Sequence, residues 1–307
     1  MLTGMDEPSV YFNGSFLPAS AAKLSWTDGG FVTGVTVAEQ LRTFGGKLFH
    51  VEEHVARLKR SLEIIGVKID PCERPLAGTA QQLAARNYPL LPSGFDLGLC
   101  IFVTPGPYPP MAPMEIRRPN VGMHTYPLPF GMWADKYRTG QALASVSVVQ
   151  PSARSWPPEL KVRSRVHFYL ADREAAEKVP GARALLTDEA GHVTETSTAN
   201  ILLLRAGRLV SPPLERILHG ISLKTTVELA EAAGLAVEYA DLKLDDVATA
   251  DEVWLTSTPF ALLPVTSLDG QPIGGGQVGP VYQQMLARWN DLVGLDIAAQ
   301  AQAPQDS

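Results

Sequence analysis

Residues 185–203 read LLTDEAGHVTETSTANILL. Residues 182–186 enter this stretch as an expected strand, and residues 201–204 leave it as another. Between them stand Glu195, the hydroxyl residues Thr196, Ser197 and Thr198, and Asn200. The plain alternative for Glu195 is an exposed hairpin glutamate, and hydroxyls at strand ends also occur for structural reasons. Toward the C-terminus, residues 208–210 read as a strand and residues 222–233 as a helix stopped by Gly234. Residues 253–257 read as a strand and 281–292 as a last helix. Residues 297–307, ending AAQAQAPQDS, have little to bury and are expected to be a disordered tail. Toward the N-terminus, residues 165–178 read as a helix and 142–149 as a strand.

The first half has the same mixed character. Residues 10–13 and 36–44 read as strands, the second turning at Gly45-Gly46 into a return strand at 47–49. Val51, Val55, Leu58, Leu62 and Ile65 recur at helical spacing, with Gly66 as the stop. A second helix is expected over 77–87, and the apolar run LGLCIFVT at 97–104 is short enough for a buried strand. The following stretch holds six prolines between Pro105 and Pro119, which neither a helix nor a central strand tolerates. It reads as an ordered surface loop, with a flexible connector as the alternative. A strand is expected at 120–126. The proline-rich YPLPFG at 126–131 is the best candidate linker. The chain is therefore expected to form two α/β domains, 1–125 and 136–296, joined by 126–135.

Composition narrows the function classes. The 307 residues are 45% hydrophobic and 19% charged, enough to bury a core. Lys and Arg number 26 against 32 Asp and Glu, a net charge of −6, a poor balance for general nucleic-acid binding. Cys72 and Cys100 alone make neither a disulfide framework nor a cysteine zinc site. No apolar run reaches the roughly 18 residues of a membrane span. The opening MLTGMDEPSVYFNG lacks a basic and then apolar signal pattern, so a soluble, cytoplasmic protein is expected. Walker, HExxH and GxSxG motifs are absent, and the six histidines lack metal-ligand spacing, so no metal is expected.

LFHVEEHVARL (48–58), LKVRSRVHFYLADREA (160–175), the 185–203 stretch, ILHGIS (217–222) and DEVWLTSTPFALLPV (251–265) stand in an order and spacing that resemble the class IV aminotransferases. These are fold type IV enzymes of pyridoxal 5'-phosphate (PLP): branched-chain aminotransferase, D-amino acid aminotransferase and aminodeoxychorismate lyase. The resemblance covers most of residues 8–270. It implies an α/β (α+β) fold of two α/β domains with the cofactor in the interdomain cleft, usually as a homodimer in which a loop of one subunit closes the other's site. The loop at 105–119 is the candidate for that closing element.

The resemblance also assigns roles. Lys161 matches the Schiff-base lysine, standing before a helix that ends in Glu174-Ala175 as the family's does. Only a neutral amine attacks an aldehyde, and neighbouring cations such as Arg163 and Arg165 lower an amine's pKa. The plain alternative is a solvated surface lysine. Glu195 matches the acidic residue that keeps the cofactor's pyridine nitrogen protonated. Ser197 and Thr198 match hydroxyls flanking the cofactor, and Asn200 a structural asparagine. Gly220, Ile221 and Ser222 open an expected helix, whose free N–H groups favour an anion such as the phosphate. Ser257 and Thr258 match a second phosphate contact, and Arg57 matches the Arg of the H-x-x-R-L pattern, with a solvated helix Arg as its alternative.

On the substrate side, Glu39 stands where aminotransferases of the group often carry Glu, which favours transamination over the lyase reaction. Arg42 is a candidate for the substrate carboxylate, although strict alternation places Glu39 and Arg42 on opposite faces unless a bulge intervenes. Two departures from the family stand out. The loop PGPYPPMAP lacks the Arg-x-His carboxylate trap of the D-amino acid enzymes, leaving Tyr108 to line the site and Arg117 and Arg118 too far along. Pro259 removes an N–H from the position where branched-chain enzymes hold the carboxylate. The expected activity is a PLP-dependent transamination between an amino acid or amine and a 2-keto acid. An aminodeoxychorismate lyase-type reaction and a non-catalytic member are the alternatives.

Overall fold

The structure is a computed structural model, and it describes residues 7–69, 75–111, 113 and 118–303. The chain divides into two compact units. Unit 1 takes Met1–Pro129 with Leu160–Ser164, and unit 2 takes Phe130–Glu159 with Arg165–Ser307.

Unit 1 contains strands β1 (Ser9–Phe12), β2 (Ser15–Pro18), β3 (Val37–Phe44), β4 (Lys47–Leu48), β5 (Leu97–Thr104) and β6 (Asn120–Pro127). It also holds helices α1 (Gly29–Val32), α2 (Val51–Ile64) and α3 (Leu76–Asn87). The strands form one antiparallel sheet in the order β2-β1-β6-β5-β3-β4. Alternation gives the sheet one apolar face, Leu41 on β3, Leu99 and Ile101 on β5 and Met123 on β6. The stripe Val55, Leu58 and Leu62 of α2 and Ala80 and Leu83 of α3 pack against it. Asn87, at the end of α3, accepts from Ser9 N–H and donates to Ser9 O and Thr125 Oγ1, tying α3 to β1 and β6.

Unit 2 contains β7 (Gln141–Val149), β8 (Arg183–Thr187), β9 (Val193–Thr196), β10 (Asn200–Arg205), β11 (Arg208–Ser211), β12 (Ala236–Tyr239), β13 (Glu252–Ser257), β14 (Ala261–Leu268) and β15 (Gln271–Pro272). Its helices are α4 (Lys136–Thr139), α5 (Val166–Lys178), α6 (Ile221–Ala232), α7 (Leu244–Ala248), α8 (Pro280–Val293) and α9 (Ile297–Gln302). The sheet runs β12-β11-β10-β13-β14-β7-β8-β9, with β15 on β14. The pairing of Glu195 on β9 with Asn200 on β10 closes part of it into a ring. Helix α5 makes the crossover from β7 to the parallel β8, packing Phe168, Ala171 and Ala175 on Ala144, Ala184 and Leu186.

One expected segment differs from the structure. The chain end is ordered through α9, because Asp296 caps it by accepting from Ala299 N–H and Ile297 and Ala301 find buried places. Residues 304–307 lie outside the described residues, as do Arg117 and Cys72. The central strand β14 carries Pro264, a residue that argues against a strand. It is tolerated because β14 gains its second neighbour, β7, only from Val265 onward.

Candidate active site

In unit 1, Lys161 lies on a short extended segment along the edge of β3. Ala38 N–H donates to Lys161 O at 3.1 Å, Arg163 N–H donates to Thr36 O at 2.7 Å, and Val37 faces Val162 in an antiparallel bridge. Leu160 and Val162 pack into the apolar core under α2, so alternation turns Lys161 and Arg163 to the helix-free face of the sheet. A further tie, from Lys161 N–H to Ser61 Oγ at 3.3 Å, fixes this edge to α2.

Glu39, on β3, is 0% exposed. Its Oε1 accepts from Arg57 Nε at 2.8 Å, and its Oε2 accepts from the Arg57 terminal nitrogen at 2.7 Å and from His54 Nδ1 at 2.8 Å. Burial alone would raise this carboxyl, but Arg57 and His54 reverse the effect and hold it well below the usual carboxylate range. Burial lowers the His54 pKa against the pull of Glu39, and the charges of Arg57 and Lys161 lower it further. His54 therefore serves as a neutral imidazole whose Nδ1–H faces a carboxylate that can only accept. Glu39 was expected on the substrate side. A sealed carboxylate with both oxygens engaged instead orients Arg57 and His54.

Arg42 is corrected for a similar reason. The β3–β5 register runs from Val37–Val103 to Arg42–Gly98 without a bulge, so Glu39 and Arg42 face opposite sides. Arg42 is 1% exposed. It donates to Thr43 O at 2.9 Å, stands 3.7 Å from Asp96, and lies 3.8 Å from the centre of the Phe44 ring. Asp96 also accepts from Thr43 Oγ1 and from the N–H groups of Gly45 and Gly46, so the pair fixes the β3–β4 turn. Tyr108 is half-buried in the proline-rich loop, which is tied down where Tyr108 N–H donates to Thr27 O and Gly29 N–H to Gly106 O. Gly106 is required there: its φ is +82° and a Cβ would fall 1.9 Å from Arg118 O.

In unit 2, the residues expected around the cofactor converge at the seam where β9 meets β10. Glu195 is 7% exposed. Its carboxylate accepts from Asn200 Nδ2 at 3.2 Å, Leu218 N–H at 3.3 Å and Gln150 Nε2 at 3.3 Å. Gln150 carried no signal in the sequence, because only the pairing of β7 with β8 brings it to Glu195. Asn200 also donates to Leu218 O at 2.9 Å, and Gly220 must be glycine because a Cβ would fall 2.0 Å from Asn200 Oδ1. Gly220 is the N-cap of α6, and no side chain caps this helix, which opens with Ile221 and the buried Ser222. Ser257 Oγ donates to Thr198 O at 2.6 Å, and the Thr198 hydroxyl accepts from Arg183 at 2.8 Å. Ser197 O accepts from Arg165. Thr258 and Pro259 follow β13 directly and are half-buried.

This set fits PLP on two grounds. The cofactor needs an acidic partner for its ring nitrogen and an anion seat for its phosphate. Glu195 is a buried, fixed acceptor, and the uncapped start of α6 supplies N–H groups and a positive dipole end. The buried Gln150 Oε1 and Thr256 Oγ1 have no hydrogen-bond partner among the described residues, as expected of atoms that line a place for a polar ligand. Among the described residues no group of three or more His, Cys, Asp and Glu could hold a metal ion. No described helix is long and apolar enough to cross a membrane.

A family model described as amino-transferase class IV matches residues 36–268. The D-alanine aminotransferase of Bacillus licheniformis is 29% identical over 278 residues, which cover 90% of this chain and 94% of that one. That of Staphylococcus aureus (strain N315) is 28% identical over 285 residues, with the same coverage. Among solved structures, the T.th. branched-chain amino acid aminotransferase with pyridoxamine 5'-phosphate superposes with a TM-score of 0.84 at 24% identity, covering 98% of this chain and 96% of that one. The same enzyme complexed with 4-methylvaleric acid gives 0.82 at 25% identity, covering 94% and 95%.

Proposed function

The chain belongs to the amino-transferase class IV family, and on that premise we propose that it moves an amino group between an amino acid and a 2-keto acid, with Lys161 as the amine that carries PLP. When bound, PLP supplies a ring that accepts the electron pair left as a proton departs from the substrate α-carbon. Lys161 Nζ moves that proton, a role that requires its neutral form. The Glu195 carboxylate, fixed by Asn200, Leu218 and Gln150, holds a proton on the ring nitrogen. Ile221 and Ser222 at the start of α6, with Ser257 and Thr258, bind the phosphate. Arg57 is the phosphate contact that unit 1 offers, its guanidinium aimed by Glu39. Glu195 carries this reading most directly: a carboxylate so enclosed and so heavily hydrogen-bonded is held for a charged partner.

The test is covalent trapping. Borohydride reduction of the purified protein should fix the cofactor on Lys161, seen by peptide mass spectrometry. Lys161→Ala should lose the trapped adduct and roughly 10²–10⁴-fold in transamination rate. A label on another lysine would overturn the assignment.

The same proposal includes a cytoplasmic homodimer. Trp26, 75% exposed, and Phe31, 72% exposed, are large apolar side chains of the kind that a partner surface covers. The loop at 105–119 remains the candidate closing element, and light scattering on the purified protein gives the subunit count.

A further inference from the structure

Arg163 is two residues beyond Lys161 on the same extended segment, so both side chains leave the same face, their Cα atoms about 7 Å apart. The neighbours there are known. An Arg163 terminal nitrogen lies 2.9 Å from Cys100 Sγ on β5, and the charges of Arg163 and Lys161 both act on that thiol against the effect of burial. Cys100 pairs across the sheet with Gln40 on one side and His124 on the other. Tyr126, two residues beyond His124 on the same face, donates to Gln40 Oε1 at 2.9 Å. Burial and the Arg163 charge lower the His124 pKa, so His124 is a neutral neighbour. None of these residues is a carboxylate, and Arg163 makes no ion pair among the described residues. It is exposed, with an uncharged sulfur as its hydrogen-bonding side-chain neighbour. A guanidinium offers a planar fork that fits a carboxylate bidentately.

The other candidates for this role are removed by the structure. Arg42 is sealed against Asp96 and Phe44, and Arg57, two of whose nitrogens are already on Glu39, is assigned above to the phosphate. Tyr108 carries no positive charge. Pro259 has no N–H to donate. We propose that Arg163 holds the substrate carboxylate, on the same sheet edge from which Lys161 acts. The nature of the ligand rests on the transaminase reading above.

The experiment compares wild type with Arg163→Gln and Arg163→Lys. Calorimetry reads the affinity for 4-methylvaleric acid and for its uncharged amide. Steady-state rates are then taken with an amino acid donor and with a primary amine that lacks a carboxylate. Losing a charge-assisted pair weakens binding by about tenfold or more. Arg163→Gln should therefore lose that much affinity for the acid and none for the amide. Its KM should rise by a similar factor for the amino acid and stay unchanged for the amine, and Arg163→Lys should recover part of both. Equal acid affinity in wild type and a folded Arg163→Gln variant would overturn the proposal, as would a wild type that does not distinguish acid from amide. Failure of the transaminase reading would show separately, as absence of borohydride-trapped cofactor.

Discussion

At the scale of single residues, Glu39 shows how burial changes a role. As a residue on an alternating strand it resembles a substrate contact, but at 0% exposure it becomes the anchor of Arg57 and His54. Glu39→Gln leaves the Arg57 charge without its carboxylate. Arg57 is 11% exposed and reaches some water, so the loss is expected at the lower end of a broken buried pair, about 3 kcal/mol, read by urea unfolding. The pH dependence has a definite sign. The Glu39 carboxyl is lowered on folding, so its contribution is complete above the ordinary carboxylate range and is lost as pH falls through its lowered pKa. His54 is lowered from 6.5, so acid also withdraws its contribution, from about that pH downward. Wild type should therefore lose more stability on acidification than Glu39→Gln. Parallel pH profiles would contradict this account.

At the scale of elements, a helix start can be capped from a distant strand. Glu252 on β13 is largely buried and accepts from Val281 N–H at 2.9 Å, Tyr282 N–H at 2.8 Å and Trp254 Nε1 at 3.0 Å. Helix α8 opens on Pro280, which has no N–H to satisfy, so Glu252 meets the next two N–H groups of the first turn. Glu252→Gln cannot accept at both oxygens, and a loss of about 1.5–3 kcal/mol is expected in chemical denaturation. At this scale much was legible in the sequence. The strand expected at 97–104 matches β5, and the helix stripe from Val51 to Leu62 lies on α2, because a strong apolar period survives any tertiary context. The strands β9, β12 and β14 were not legible in this way. Strand β9 is four residues long, β12 is largely exposed, and β14 contains Pro264, so each needed a partner strand to exist.

At the scale of the whole molecule, the two compact units are interleaved in sequence. The segment Leu160–Ser164 is separated in the chain from the rest of unit 1, yet it covers the edge of β3 and adds Leu160 and Val162 to the core beneath α2. A fragment ending at Pro129 should therefore expose an unpaired edge and part of its core. It is expected to aggregate or to remain loosely packed by size exclusion and near-ultraviolet circular dichroism. Addition of a peptide spanning residues 158–166 should improve its dispersity. A well-packed, monodisperse fragment without the peptide would show that this edge contributes little.

The sequence by itself determined the alternation of helices and strands, the family, and the short list that includes Lys161, Glu195 and Ser222, because periodicity and residue order are properties of the chain. Only the tertiary structure decided which of those side chains are available. Glu39 and Arg42 are equivalent as candidates along β3, but the unbroken register turns them to opposite faces and each meets a partner of opposite charge. Arg163 entered the sequence reading only as a neighbour of Lys161. Its position became informative when the edge pairing with β3 set it on the helix-free face, beside an uncharged thiol and with no acid among the described residues to neutralise it. Charge is written in the sequence, whereas whether a charge is paired depends on which distant strand lies beside it.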